Sequence, residues 1–378
     1  MICKHKKICH ITTVHGAFDA RIFFRECKSL VDEGYEVYLV ASNEKEEVVE
    51  GVHILPLSTT KNRLYRFFVK DLNAFIKAIR VNCDLYHFHD PELIWVGIML
   101  KVCRKKVIYD VHENVSLQIL SKYWIPFWMR KIFSFFFGLI ERFSIKFFDK
   151  VIVAGEDISK QSYFRKFNYK TFVINNFPIV VLDDNDVASK KFDTIKFIYT
   201  GNISEERGVF EIIGAANLIS NLDFKLTLMG VFESKKVEDR VLFEIKSNER
   251  IEYLPAVPYR ELFIILSKYN VGIICFKPTP NNIGAICGRN NKIFEYLQAG
   301  LAVIASDIPE WRDFVQNNEI GLLVDPNNSK SISVAMKSFI LNKQLLKEMS
   351  KNSRALSCRY SWESQRKILL DIYREVLK

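Results

Sequence analysis

Residues 284–311 read GAICGRNNKIFEYLQAGLAVIASDIPEW, and the fold turns on how they are read. Gly284 and Gly288 interrupt any regular run, and Asn290 or Asn291 is placed to cap a helix. From Lys292 the apolar side chains of Ile293, Phe294, Leu297 and Ala299 fall on one helical face, and Gly300 supplies the stop. Residues 301–305 form a short apolar run suited to a parallel strand buried on both faces. Asp307 and Pro309 start another helix at once. A polar loop feeding a helix N-terminus suits an anion, because the first backbone N–H groups lack partners and the dipole favours negative charge. Glu295, one turn in, can accept hydrogen bonds from two sugar hydroxyls. By spacing alone it reads equally well as an acidic residue that favours the dipole.

Working outward, the second half is a β/α series around this stretch. Residues 195–200, 224–228, 251–254 and 271–275 are apolar strand candidates. The first is followed by the loop GNISEERG and a helix carrying Ile212, Ile213 and Ala216 inward. Arg207 and Lys292 are the cations placed to meet a diphosphate, although Arg207 can also pair with Glu205 or Glu206 on the surface. Residues 331–357 read as helical, and Ser361-Trp362-Glu363 caps a final amphipathic helix. Residues 179–193, with four acidic or amide side chains together, read as a linker.

The first half has the same plan. Residues 7–13 read as a strand, 15–19 as a loop, and 20–33 as a helix with Ile22, Phe23, Cys27 and Leu30 inward. A strand over 35–41 completes a β-loop-α-β opening, whose first loop lies where doubly wound sheets bind ligands. Gly16 permits close backbone approach there. Arg21 and Arg25 read either as phosphate contacts or as solvated helix charges. Strands ending near 88 and 110 bring His15, His89, Asp90, His112 and Glu113 to one rim, where a histidine can donate to a phosphate or a leaving-group oxygen. The same residue types, with His-x-His at 87–89, also admit metal binding, but the further His and Asp of a metal hydrolase motif are missing from the sequence beyond them. His87 is read as turned away from His89 by strand alternation and packed within the fold. Two such domains, facing each other with strand C-termini toward a shared cleft, are the expected architecture.

At 378 residues the chain has room for two cores, and 49% hydrophobic with 26% charged residues is ordinary globular composition. A net charge of +10 points to an anionic partner: a phosphorylated ligand, nucleic acid or a membrane surface. No RNA- or DNA-binding signature accompanies it. Eight cysteines without a C-x-x-C pair argue against a disulfide framework and for a reducing compartment. The opening MICKHKK passes into a strand without a signal-peptide apolar region, so a cytoplasmic chain is expected. Residues 122–150, KYWIPFWMRKIFSFFFGLIERFSIKFFDK, carry six basic against two acidic side chains with aromatics at helical spacing. Such a helix can lie in a membrane interface, or can be a core helix whose lysines reach out to water.

Taken in order, HGAFDARIFFRECKSLVDEGYEVYLVA, LYHFHDPEL, VIYDVHE, INNFP, YTGNISEERGV, NKIFEYLQAGLAVIAS, GLLVDP and YSWE resemble the retaining glycosyltransferases of family 4 over nearly the whole chain. The resemblance implies a GT-B fold, two facing Rossmann-like domains with an interdomain cleft. Residues 1–178 would form the acceptor-side domain, with the helix 361–378 packing back on it, and 194–360 the donor domain. It implies transfer of a sugar from a nucleotide-diphosphate sugar to a glycan or polyprenyl-diphosphate-linked acceptor in surface-polysaccharide assembly. No metal or other cofactor would be needed, and nucleic acid would not be a partner. His112, Glu295 and Arg207 would be catalytic. Gly16, Asn202, Arg207, Arg289, Asn291, Lys292 and Glu295 would bind the donor. His15, Asp19, Arg21, His89, Asp90 and Glu113 would line the acceptor side. Residues 122–150 would hold the enzyme on the inner membrane face. Two departures stand out: Cys287 occupies the first place of the family's usual glutamate pair, and Asn202 stands where many members have a phosphate-binding arginine. A GT-B-fold sugar-nucleotide epimerase and a non-catalytic sugar-nucleotide-binding subunit are the alternatives.

Overall fold

A computed structural model of the chain describes residues 6–60, 65–122, 125–160, 162–180, 192–278 and 291–378. They fall into two compact units, one running up to Asn176 and taking in Trp362–Lys378, the other running from Phe177 to Ser361. Residues 181–191, most of the expected linker, lie outside the described residues.

The first unit is built on strands β1 (Lys7–Gly16), β2 (Glu36–Ser42), β3 (Glu47–Val49), β4 (Val52–Leu57), β5 (Leu85–Phe88), β6 (Lys106–Val111), β7 (Lys150–Val153) and β8 (Thr171–Val173). Their order is β3-β4-β2-β1-β5-β6-β7-β8, and every pairing is parallel except β3 with β4. The second unit holds β9 (Ile195–Ile203), β10 (Phe224–Phe232), β11 (Ile251–Pro255), β12 (Val271–Ile274), β13 (Ala302–Ser306) and β14 (Gly321–Val324), all parallel in the order β11-β10-β9-β12-β13-β14. Central strands such as β5, β7, β12 and β13 are buried along their whole length, as strands covered by helices on both faces must be.

Two local features depart from the sequence reading, and a third chooses between the two readings of residues 122–150. The helix expected over 20–33 begins as a wide π turn, Ile22–Cys27, before the α-helix Lys28–Asp32. The amide of Glu26 bonds the Arg21 carbonyl five residues back, and Arg21, Arg25 and Glu26 are all buried as a result. The helical stretch 331–357 is two helices, Ser329–Leu341 and Lys343–Ser357, separated at Asn342, whose side chain accepts the Leu345 N–H. The helix Phe127–Ile145 is inside out. Ser134, Gly138, Glu141 and Ser144 face the fold, and Glu141 accepts a hydrogen bond from the Tyr109 hydroxyl at 2.9 Å. Most of its aromatic side chains point outward instead, with Phe127 78% and Trp128 71% exposed, while Phe137 packs against the core.

The helix Trp362–Leu377 is anchored to the first unit at several points. Trp362 donates to Ser29 at 2.9 Å, Gln365 accepts from the Asn175 amide, and Val376 accepts from Lys106. In the second unit the helix Asn291–Gln298 is buried from Ile293 onward. It ends on Gly300 in the left-handed region (φ 60), with Leu301 donating back to the Tyr296 carbonyl. The Tyr296 ring lies flat on β12 because Gly272 is there: a Cβ would sit 2.1 Å from the ring.

Candidate active site

In the first unit the register of the sheet assembles the site. His10 on β1 is aligned with His87 on β5, and both rings fall on the face that also carries Asp110 at the end of β6. The His87 and His89 ring centroids are 4.5 Å apart, which corrects the expectation that His87 turns away. Residues two apart along an extended chain share a face.

Asp110 is the hub. Its Oδ2 accepts from Arg21 Nε at 2.9 Å, His112 Nε2 at 3.0 Å and His89 Nδ1 at 3.2 Å, and its Oδ1 accepts from Arg21 Nη2 at 3.0 Å. Burial opposes ionisation, but the Arg21 guanidinium and the two imidazole donors hold this carboxyl well below the usual carboxylate range. Glu26 shows the opposite balance. Burial, reinforced by the charge of Asp110, pushes its carboxyl well above the ordinary value although Arg21 Nε lies 2.9 Å away. The rest of the Arg21 guanidinium donates to the Ile174 carbonyl at 2.9 Å and to Asn176 at 2.7 Å. The expectation that Arg21 and Arg25 are phosphate contacts or solvated charges is therefore corrected: both are buried, and Arg21 is used up inside the fold.

The remaining predicted acceptor-side residues form two layers. His89 and Asp90 lie behind, 2% exposed each. Asp90 Oδ2 accepts from the Thr12 hydroxyl (2.8 Å) and the Thr13 and Val14 amides (2.6 and 3.1 Å), so it shapes the loop rather than facing solvent. At the surface are His15, Gly16, Asp19, His112 and Glu113. His15 and His112 have ring centroids 5.5 Å apart. Burial would lower the pKa of His15, but its contact with Asp19 (3.2 Å) and the charges of Asp19, Asp90 and Glu113 raise it to about 9. A Cβ on Gly16 would meet nothing within 4 Å.

By type, His10, Glu26, His87 and His89 could hold a metal ion, as could His89, Asp110 and His112, their donor atoms lying within 4.8 Å of one another. The imidazole nitrogens are nonetheless engaged with each other and with Tyr373: His10 Nδ1 to His89 Nε2 is 2.9 Å, and the Tyr373 hydroxyl bridges His10 Nε2 (3.0 Å) and His87 Nδ1 (2.6 Å). Sequence reasoning missed His10, Glu26, Asp110 and Tyr373. Asp110 was within reach, since it precedes His112 by two on the same strand end. Tyr373 was not, being 363 residues from the histidine that it contacts.

In the second unit Arg207 and Lys292 share one aromatic platform. The Arg207 guanidinium carbon lies 4.0 Å from the Phe276 ring centre and Lys292 Nζ 5.0 Å from it, with Nζ also 3.1 Å from the Tyr199 hydroxyl. Neither cation has a carboxylate at ion-pair distance among the described residues, so the expected alternative for Arg207, a pair with Glu205 or Glu206, is not formed. Lys292 retains some exposure at its edge, yet burial of its ammonium and the neighbouring Arg207 charge hold its pKa well below the ordinary lysine value. Lys292 crosses directly over Gly201 (φ 100), where a Cβ would stand 2.6 Å from its Cε. Asn202 is exposed at the end of β9, its carbonyl accepting from Tyr199. Glu295 is 7% exposed, one turn along from Asn291, whose Oδ1 has no hydrogen-bond partner among the described residues. Arg289, Cys287 and the glycines of the preceding loop lie outside the described residues.

Comparison with known proteins matches residues 20–176 to the model of Glycosyltransferase Family 4 and residues 183–356 to that of Glycosyl transferases group 1. The capsular polysaccharide biosynthesis glycosyltransferase CapM of Staphylococcus aureus is 22% identical over 373 residues, spanning 93% of this chain and 92% of CapM. Among solved structures, sucrose-phosphate synthase from Thermosynechococcus elongatus superposes with a TM-score of 0.75 at 17% identity, covering 98% of this chain and 99% of that one. Anabaena Alr3699/HepE, solved with UDP and glucose, gives 0.70 at 14% identity, covering 98% and 100%. With two parallel-sheet units of this topology and family models over both, the chain belongs to the family 4, group 1 glycosyltransferases of GT-B fold.

Proposed function

We propose that this glycosyltransferase moves a sugar, with retention, from a nucleotide-diphosphate donor to a glycan or polyprenyl-diphosphate-linked acceptor in surface-polysaccharide assembly. The observation that carries the donor half is the pair of cations on Phe276 with no carboxylate partner among the described residues. A departing diphosphate develops negative charge, and fixed cations whose charge is not already neutralised stabilise it most. Arg207 and Lys292 take that role without a metal ion, and Glu295 holds donor hydroxyls. His112, held on Asp110 through Nε2, is the residue beside the reacting sugar, and His15, Asp19 and Glu113 border the acceptor. The likeness to CapM supports a polysaccharide pathway.

The test is radiolabelled transfer with a panel of nucleotide sugars. Arg207→Ala, Glu295→Ala and His112→Ala should each lower turnover by about a hundred-fold or more. Activity within a few-fold of wild type in all three would refute the assignment, and a strict requirement for a divalent ion would refute metal independence.

The outward aromatic face of the helix Phe127–Ile145 supports a place on a membrane. Trp128, Ile132, Phe135, Phe136, Leu139 and Phe143 are exposed, and Lys131 and Arg142 share that surface. Such a face costs free energy in water and gains it at an anionic lipid interface. No helix among the described residues is long and apolar enough to cross a membrane. Flotation with anionic vesicles should carry the protein upward, and no flotation at low salt would remove this part.

A further inference from the structure

We infer that Tyr373, on the C-terminal helix, is a positioning residue for His112, acting through a one-way chain of hydrogen-bond donors that passes through His10 and His89 to Asp110. The inference rests on the reading of His112 as the histidine beside the reacting sugar. Each link takes its direction from its neighbour nearer the carboxylate.

Asp110, as a carboxylate, can only accept. His89 Nδ1 faces both Asp110 Oδ2 and His112 Nε2, each at 3.2 Å; a bare Nδ1 would set a lone pair against the carboxylate, so Nδ1 carries the proton and Nε2 is left bare. A bare nitrogen can only accept, so His10, 2.9 Å away through Nδ1, carries its proton on Nδ1 as well. That leaves His10 Nε2 as an acceptor, and the Tyr373 hydroxyl at 3.0 Å donates to it. Having given its hydrogen, the Tyr373 oxygen accepts from His87 Nδ1 at 2.6 Å, and the chain ends on His87 Nε2, which has no hydrogen-bond partner among the described residues. Reversing any one link would set two N–H groups or two lone pairs face to face among buried side chains; the close pair that this arrangement keeps, His89 Nδ1 and His112 Nε2 at 3.2 Å, converges on the shared acceptor Asp110 Oδ2. Burial and the neighbouring imidazoles keep all three rings neutral: His89 is lowered to about 4, and His10 and His87 lie well below the usual histidine value.

Asp110 Oδ2 thus receives His89 and Arg21 in fixed directions, and its third donor is His112 Nε2. His112 is left with its proton on Nε2 and Nδ1 facing away from the carboxylate. The carboxylate itself sets the His112 tautomer; what the chain from Tyr373 supplies is the fixed seat of Asp110, held from the far side of the sheet through His10 and His89.

A divalent ion is the other possible occupant of this ring of atoms. Glu26 Oε2 lies 3.8 to 3.9 Å from His10 Nδ1, His87 Nδ1 and His89 Nε2, with no hydrogen bond to any. An ion bound there would strip Nδ1 of His10 and His87 and move their protons to Nε2. One measurement separates the two. Long-range proton–nitrogen correlation on the full-length protein labelled with nitrogen-15 histidine should show His10, His87 and His89 neutral and protonated on Nδ1. Protonation of His10 or His89 on Nε2, or stoichiometric metal in the purified protein, would overturn the chain.

Tyr373→Phe keeps the ring and removes the hydroxyl. It should lower kcat by about ten-fold, the scale of one lost hydrogen bond, with donor KM within about two-fold. It should also mix the His10 tautomers. Wild-type kcat in Tyr373→Phe would overturn the positioning role, and the wild-type spectrum decides the chain even if the variant fails to fold. His112→Ala run alongside keeps the failures apart. If it turns over normally while the tautomers stand, the role of His112 falls; if it is inactive while the tautomers differ, the chain falls.

Discussion

The two units present opposite electrostatics at corresponding ends of their sheets. In the first, two carboxyls, Arg21 and four imidazoles close on one another, so almost every charge is met from within. In the second, Arg207 and Lys292 lie over one phenylalanine, and no carboxylate among the described residues meets either. A neutralised cluster loses little on being buried and holds its geometry. An uncompensated one is left with field to offer an anion that arrives from solution.

The largest expected effect falls on the neutralised cluster. Asp110→Ala leaves Arg21 buried without its main counter-charge and should cost about 3–5 kcal/mol in urea denaturation, the range for breaking a buried pair. A loss under about 1 kcal/mol would mean that the cluster is not internally neutralised. On the other side, Arg207→Ala should lower kcat/KM by about a hundred-fold or more, as for loss of one transition-state donor. Its stability should stay within about 1 kcal/mol of wild type, since it removes a half-exposed cation. If instead it unfolds the protein, the cation is structural and the contrast collapses.

His15 sharpens the comparison at the border between cluster and solvent. Its pKa is raised above the ordinary 6.5 to about 9 by Asp19. The paired imidazolium therefore stabilises fully below pH 6.5, and that stabilisation is lost as pH rises toward 9. With a side chain one-third exposed, the contribution is about 1–2 kcal/mol after solvent screening. Thermal melts of His15→Gln should therefore lack the decline that the wild type shows between those pH values; parallel curves would contradict the pairing. The smallest effect on the fold belongs to Trp128→Ser with Phe136→Ser. Stability should change by less than about 0.5 kcal/mol at such exposed sites, while vesicle flotation is lost.

Much of this was legible from residue order. The strands, the helix Asn291–Gln298 with its Gly300 stop and the doubly wound plan come from short-range apolar periodicity and from residues such as Gly300 and Pro309 that allow few conformations. Arg207, Lys292, His112 and Glu295 were marked by chemical type and by place at strand or helix ends. Arg21 misled, because a guanidinium on a helix looks alike in sequence whether it meets solvent or a buried carboxylate. The π turn that carries it inward depends on the local match to Asp19 and Asp110.

Residue order alone was enough for most of the elements, the alternating β/α plan and the residue types at the strand ends, since these rest on interactions between near neighbours; strand order, which joins positions as distant as His10 and His87, was not among them. It took the tertiary contacts to bring Tyr373 to His10, to shift the carboxyls of Glu26 and Asp110 in opposite directions, and to turn most of the aromatic helix outward. Each of those depends on which distant groups burial brings together and on how much water it leaves between them.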